Sequence, residues 1–227
     1  NELEALWKNS LPLETVFLLL SFANVSVAQE AQSLVAIEED VERVYLQVVG
    51  DDRVRTAVQQ IFQREPLAIE EQIRLTEIPA PPFQEARRAA YYLQQMQARG
   101  LDDAYIDDEG NVIGLRKGSG NGPTLLIAAH LDTVFPEGVD TRVKLINNRY
   151  YAPGIGDDTR GLTALLSVIE VLNESGIETV GDIMFAGNVG EEGRGVLRGI
   201  KAIFRDHPEI DGFVSIDGGT LRRITTG

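Results

Sequence analysis

Four short stretches of the sequence gather side chains able to hold a hard cation and to move a proton: His130-Leu131-Asp132, Asp157-Asp158 within GIGDDTRG, Glu191-Glu192 within GNVGEEGRG, and Asp217-Gly218-Gly219. Imidazole plus carboxylate oxygens, without thiolate, suits zinc first, with cobalt or manganese as substitutes. The sequence has no cysteine, which excludes thiolate metal sites, disulfide scaffolds and cysteine nucleophiles. Adjacent acids such as Asp157-Asp158 and Glu191-Glu192 would repel in a desolvated site, so burying them calls for compensating positive charge, which divalent cations supply. One carboxylate can bridge two such ions, and an acid beside a metal ligand can serve as the base that deprotonates a bound water.

Each piece also has a plainer reading. A lone His-x-Asp is most often a strand-end histidine with a polar neighbour, and Asp217 alone would be a turn former before Gly218-Gly219. Glu38-Glu39, Glu70-Glu71, Asp102-Asp103 and Asp107-Asp108 are acid pairs too, and on polar helix faces or in loops they read as solvated surface. Asp157-Asp158 and Glu191-Glu192 differ in standing among glycines, which permit close backbone approach. His207, in a loop after a helix, is not counted as a ligand.

The elements that must position these groups follow from hydrophobic periodicity. TLLIAA (124–129) reads as a buried strand ending at His130, Ile183 to Ala186 as another leading to Glu191, and Phe213 to Ile216 as a third leading to Asp217. Between them lie a helical stripe through Leu162, Leu165, Leu166, Ile169 and Leu172, and a helix through Val196, Leu197, Ile200 and Ile203. Asn111 to Leu115 is a further strand, and Val143 to Tyr151 reads as a half-exposed strand around an Asn147-Asn148 turn. Earlier segments are helical: Leu34, Ile37, Val41, Val44 and Val48; Val54, Val58, Ile61 and Phe62; Ile69, Ile73 and Leu75, ending at Pro79-Ala80-Pro81-Pro82; and residues 83–99, closed by Gly100. The whole predicts an α/β three-layer sandwich with a mostly parallel mixed sheet flanked by helices. Ligands bind beyond the carboxyl ends of strands in such sheets, so three of the polar groups should converge there, with Asp157-Asp158 at the start of the Leu162 helix. His130 and Asp132, two apart, could share a face, with Asp132 orienting the imidazole or a neighbouring group.

Composition narrows the partners. Across 227 residues, 35 Asp plus Glu stand against 21 Lys plus Arg, a net charge of −14, and no basic stripe offsets it. Nucleic acid and anionic lipid are therefore poor partners. Residues 15–28 are apolar and end in Ser26-Val27-Ala28, like a signal-peptidase site, yet Glu2, Glu4 and Glu14 outweigh Lys8 before them. A signal peptide over residues 1–28 and an N-terminal core helix stay equally open, and with them an exported or a cytoplasmic protein. The run is shorter than the roughly 20 apolar residues of a membrane span. The first residue is Asn1 rather than Met, so a longer reading frame or processing is expected. The domain reading is an apolar segment at 1–28, an acidic helical region at 29–66, and a catalytic-type α/β region at 67–227.

The ordered series HLDTV (130–134), GIGDDTRG (154–161), GNVGEEG (187–193) and SIDGG (215–219) resembles the M20 metallopeptidases, the group of peptidase T, carboxypeptidase G, aminoacylases and acetylornithine deacetylase, over roughly residues 70–227. The resemblance implies a zinc-exopeptidase-like fold and two Zn2+ ions, with His130 binding one, Asp157 bridging both, and Glu192 and Asp217 completing ligation from this chain. Asp132 would orient His130. Glu191 would be the general base, activating a metal-bridging water for attack on an amide carbonyl and then protonating the leaving amine. The implied substrate is a peptide, most plausibly for an exopeptidase of the peptidase T-like branch, or an N-acyl amino acid for a deacylase, or a carboxypeptidase substrate. A metal-binding or interaction module without catalysis, or an inactive gene fragment, is the alternative of another class. The family inserts a lid or dimerisation domain after the SIDG-type strand and later supplies a final histidine ligand. The sequence stops at Gly227, so the chain is expected to be truncated before the lid, to lack that histidine and the homodimer contact, to expose apolar surface where further strands would pair, and to be inactive alone.

Overall fold

The computed structural model describes residues 38–218 and residue 225. The expected apolar segment at 1–28, the first positions of the Leu34 stripe, and Gly219 lie outside the described residues. The chain divides into two compact units, one ending at Leu46 and one running from Gln47. Helix α1 (Glu39–Gly50) crosses that boundary and has no buried residue.

In the second unit, α2 (Asp52–Gln63) opens on an Asp51 cap whose carboxylate accepts the Arg53 N–H at 2.8 Å, and α3 (Glu65–Glu77) carries Pro66 in its first turn, where no N–H is needed. The Pro79 to Pro82 segment ends that run, and α4 (Ala86–Ala98) follows. Strands β1 (Tyr105–Ile106), β2 (Val112–Arg116) and β3 (Thr124–His130) come next, then a separate hairpin of β4 (Lys144–Ile146) and β5 (Arg149–Tyr151). Helix α5 (Thr159–Glu174), β6 (Ile183–Asn188), a short 3-10 turn at Gly193–Gly195, α6 (Arg198–Asp206) and β7 (Ile210–Ser215) complete the series.

The five-stranded sheet has the order β1-β2-β6-β3-β7. β6, β3 and β7 pair in parallel, whereas β2 runs antiparallel to both β1 and β6, so four of the five strands point one way. Alternation along β6 divides the core: Ile183 and Phe185 join α3, α4 and α5 through Leu75, Tyr92, Met96, Leu162, Leu165 and Ile169, while Met184 and Ala186 join Leu126, Ala128 and Ile203 of α6 on the other face. A strand buried on both faces must be apolar throughout, and all six residues of β6 are buried. Three layers result, as the periodicity predicts.

Four local readings differ from the sequence expectation. The helix expected from Val196 starts at Arg198, because Val196 and Leu197 take left-handed φ values of 51° and 58°. β1, only two residues long and exposed, carries too little pattern to read. The strand leading to Asp217 is not buried: β7 pairs only with β3 among the described residues, and Phe213 and Val214 are 44% and 45% exposed. Glu71, expected on the surface, is buried on α3. No helix among the described residues is long and apolar enough to cross a membrane.

Candidate metal centre

The carboxyl ends of the parallel strands β3, β6 and β7 face one crevice, and the four polar groups meet there. His130 is the last residue of β3, paired in register with Asn188 at the end of β6. Its Nε2 lies 2.8 Å from Asp157 Oδ1 and 3.8 Å from Asp217 Oδ1. Its Nδ1 lies 3.0 Å from the main-chain carbonyl of Asp132, to which it can donate. That hydrogen bond fixes the ring and leaves Nε2 towards the acids. Two sets of candidate ligand atoms lie within 4.8 Å of one another: His130 with Asp157 and Asp217, and His130 with Glu191 and Glu192. Asp157 and Asp217 are about half exposed, whereas the histidine is 2% exposed.

Asp132 acts differently from the same-face expectation. β3 ends at His130, so strand alternation no longer governs residue 132. The buried Asp132 carboxylate accepts the Glu191 N–H at 3.0 Å and the Glu192 N–H at 2.9 Å, one on each oxygen. It therefore holds the turn that presents both glutamates, while orienting His130 chiefly through its backbone oxygen. Its Oδ1 also stands 3.6 Å from His130 Nδ1. Burial would raise its pKa, but the imidazole and the two amides outweigh that and hold the carboxyl below its ordinary range.

The residue pattern pairs Asp158 with Asp157, the resemblance gives a role to Asp157 alone, and the structure gives Asp158 a different one. Asp158 is buried, and its carboxylate accepts the Gly161 N–H at 3.0 Å as the cap of α5 and the His130 N–H at 3.0 Å. Gly161 is required, since a Cβ there would collide with the Asp158 carboxylate. Desolvation pushes the Asp158 carboxyl up to about 8, against the charge of His130 and the two amides. The peptide joining Asp157 to Asp158 is cis.

Arg88 is missed by sequence reasoning, because one arginine in a helix rich in helix formers carries no signal. It is fully buried on α4 and donates to the carbonyl of Leu131 at 2.7 Å and to that of Ile78 at 3.0 and 2.8 Å. The Pro79 to Pro82 segment is thereby tied to the end of β3, a link repeated by the Thr133 N–H donating to the Ala80 carbonyl at 3.0 Å.

The electrostatics of the crevice call for a cation. Burial raises the Glu191 pKa, and the charges of Asp217, Glu192 and Asp132 add to it against His130. Burial and then the charge of Asp157 raise Glu192. The His130 imidazole is lifted to about 10: desolvation pulls it down, and the carboxylates of Asp132, Asp158 and Asp157 outweigh that. Clustered acids that a proton on one imidazole only partly offsets, with no thiolate among them, form a donor set that fits zinc and similar dications. His207 lies elsewhere, its Nδ1 at 3.0 Å from Glu209 and its Nε2 at 3.3 Å from the Tyr105 hydroxyl.

Comparison with known proteins bears on this crevice. Residues 126–225 match the model of peptidase family M20/M25/M40. A Pyrococcus abyssi protein named as a LysW-lysine/LysW-ornithine hydrolase is 33% identical over 135 residues, covering 60% of this chain and 36% of that protein. Carboxypeptidase G2 of Pseudomonas sp. is 34% identical over 84 residues, 36% of this chain and 20% of its own length. The chain thus spans about a third or less of the length of these curated relatives. Among solved structures, the aminopeptidase PepT of Bacillus cereus superposes with a TM-score of 0.57 at 25% identity, covering 67% of this chain and 43% of PepT. Human carnosine dipeptidase 1 shares the fold, with a TM-score of 0.64 at 12% identity over 75% of this chain and 42% of its own.

Proposed function

We propose that this chain, whose residues 126–225 match the model of peptidase family M20/M25/M40, carries the metal-holding part of a two-zinc hydrolase of peptide or amide bonds. The observation that carries this reading is the convergence on His130 of two sets of candidate ligand atoms, Asp157 with Asp217 and Glu191 with Glu192, each set lying with the histidine within 4.8 Å beyond the ends of the parallel strands. His130, Asp157, Glu192 and Asp217 would hold the metals, with Asp157 as the shared ligand. The nearness of Asp157 to His130 Nε2, together with its charge acting on Glu192, supports that placement. Zinc, when bound, would neutralise the acids and polarise the substrate carbonyl; cobalt or manganese could take its place.

Glu191 is then the general base. Its raised pKa, caused by burial and by three neighbouring carboxylates, suits a group that must take a proton from water and return it to a leaving amine. Asp132 fixes its position through the amide of Glu191 itself. His130, held by the Asp132 carbonyl, cannot turn its Nε2 away from the acids.

The substrate proposal is an exopeptidase of the peptidase T-like branch, supported by the 25% identity with a PepT aminopeptidase. A deacylase or carboxypeptidase acting on N-acyl amino acids is the second reading, favoured by the 34% identity with carboxypeptidase G2. The experiment is to produce the complete reading frame, count zinc by mass spectrometry, and assay tripeptides, dipeptides and N-acyl amino acids with and without Glu191→Gln. A metal-loaded wild type that cleaves one of these classes, with the variant slowed by at least about 100-fold, is the expected result. A variant with wild-type turnover would refute the base assignment.

A further inference from the structure

The loop presenting Glu191 and Glu192 rests on a side chain outside the metal-holding set. Gly190 has a φ of 59°. A Cβ there would stand 2.5 Å from Arg198 Nε and 2.6 Å from Arg198 Cγ, so the arginine stem lies directly against the Gly190 backbone. The main chain closes the same loop, with the Arg198 N–H donating to the Gly190 carbonyl at 3.2 Å and the Gly199 N–H to the Val189 carbonyl at 3.0 Å.

The guanidinium is locked by two acids from other elements. Nη2 donates to both oxygens of Glu85 at 3.0 Å, and Nη1 donates to Glu109 Oε1 at 2.7 Å and to the Glu109 carbonyl at 2.9 Å. Glu85 is itself buried before α4 and accepts the Phe83 N–H at 3.1 Å. The Arg198 guanidinium carbon also stands 5.3 Å from the centre of the Phe83 ring. A planar guanidinium that divides its two terminal nitrogens between two acids is fixed in direction, which a lysine ammonium cannot match. The largest charges acting on Glu191 are those of His130, Asp217, Glu192 and Asp132, whereas Arg198 meets this loop at the backbone of Gly190.

We propose that Arg198 is a positioning residue: clamped between Glu85 and Glu109, it is the floor under Gly190 that sets where the Glu191 and Glu192 carboxylates stand. The proposal rests on the reading of Glu192 as a ligand and Glu191 as the base.

The test compares wild type, Arg198→Met and Arg198→Lys in the complete reading frame. It reads cobalt(II) affinity from visible absorption, thermal melting, and kcat and KM on whichever substrate the wild type hydrolyses. Both variants are expected to bind cobalt about 10–100-fold more weakly, the usual cost of losing a group that orients a ligand. At saturating cobalt, kcat should fall at least about 10-fold with KM changed by less than about twofold, the pattern of an interaction made only in the transition state. A cobalt-saturated Met variant with wild-type affinity and kcat overturns the proposal, whatever its melting temperature, and so does full recovery in the Lys variant. If the wild type hydrolyses nothing, the functional reading fails while the cobalt comparison still decides the role of Arg198; a wild type that binds no cobalt overturns both. Should Arg198→Met fail to fold, Glu109→Ala removes one arm of the clamp, and its cobalt affinity should fall about 3–10-fold, with no change counting against the proposal.

Discussion

Asp132→Asn changes one atom in a carboxylate that holds two backbone amides at once. The Glu191 and Glu192 N–H groups approach separate oxygens at 3.0 and 2.9 Å, and the residue is fully buried. An asparagine offers one oxygen and one NH2, so one amide stays bonded and the other faces a second donor. A hydrogen bond to a charged acceptor is worth about 1.5–3 kcal/mol, and the amide left unpaired adds about 1–3 kcal/mol. With the bonds partly relaxing, the metal-free fold should lose about 2–4 kcal/mol in urea unfolding. Because the displaced turn carries Glu191 and Glu192, zinc or cobalt affinity should fall about 10–100-fold in a chelator-competition titration. The sign of the pH dependence follows from the depressed Asp132 pKa. Its contribution is fully present above the unfolded carboxyl value near 3.8 and is lost as pH falls through the folded value, so wild type and variant should converge only below about pH 4. A variant with wild-type stability at pH 7 and unchanged metal affinity would show that the two amides do not depend on this carboxylate.

Three further outcomes are expected. His130, lifted to about 10 in the metal-free crevice, is protonated at pH 8, so zinc binding there should release about one proton from it, seen as a dependence of calorimetric heat on buffer ionisation enthalpy; buffer-independent heats would contradict this. In Gly187→Ala the new Cβ would stand 2.8 Å from the Tyr92 ring, which is pinned by its hydroxyl donating to the Leu162 carbonyl at 3.0 Å. Overpacking of this kind costs about 1–3 kcal/mol, which at about 2–4 °C per kcal/mol should lower the melting temperature by several degrees; an unchanged melt would mean the ring moves freely. Prolonged chelation should leave far-ultraviolet circular dichroism unchanged, because the two apolar clusters on either face of the sheet are built without the ligands, and loss of the spectrum would make the metal a folding requirement.

Much of the sheet is legible because burial on both faces demands continuous apolar runs. TLLIAA and the Ile183 segment therefore read directly as strands. β1 is not legible, since two exposed residues have no period, and the start of α6 is hidden because Val196 and Leu197 continue its apolar stripe while their backbone turns left-handed, with Arg198 against Gly190. Glu71 reads as solvated because acid pairs usually are, and its burial leaves no mark in the sequence.

The sequence by itself determined which side chains could meet a metal: acids and one histidine, three of the groups placed after apolar runs that a parallel sheet carries to a common edge, and the glycine-set Asp157-Asp158 placed before a helical stripe. Only the tertiary structure decided the division of labour among them. Asp158 turns inward to cap α5 and hold β3, Asp132 grips the glutamate turn through two amides, and Arg88 and Arg198 brace the strand end and the loop. The reason is physical. Residue type fixes what a group can bond, but which donor or acceptor lies about 3 Å from it depends on contacts between residues 28 to 113 positions apart, and no local period encodes those distances.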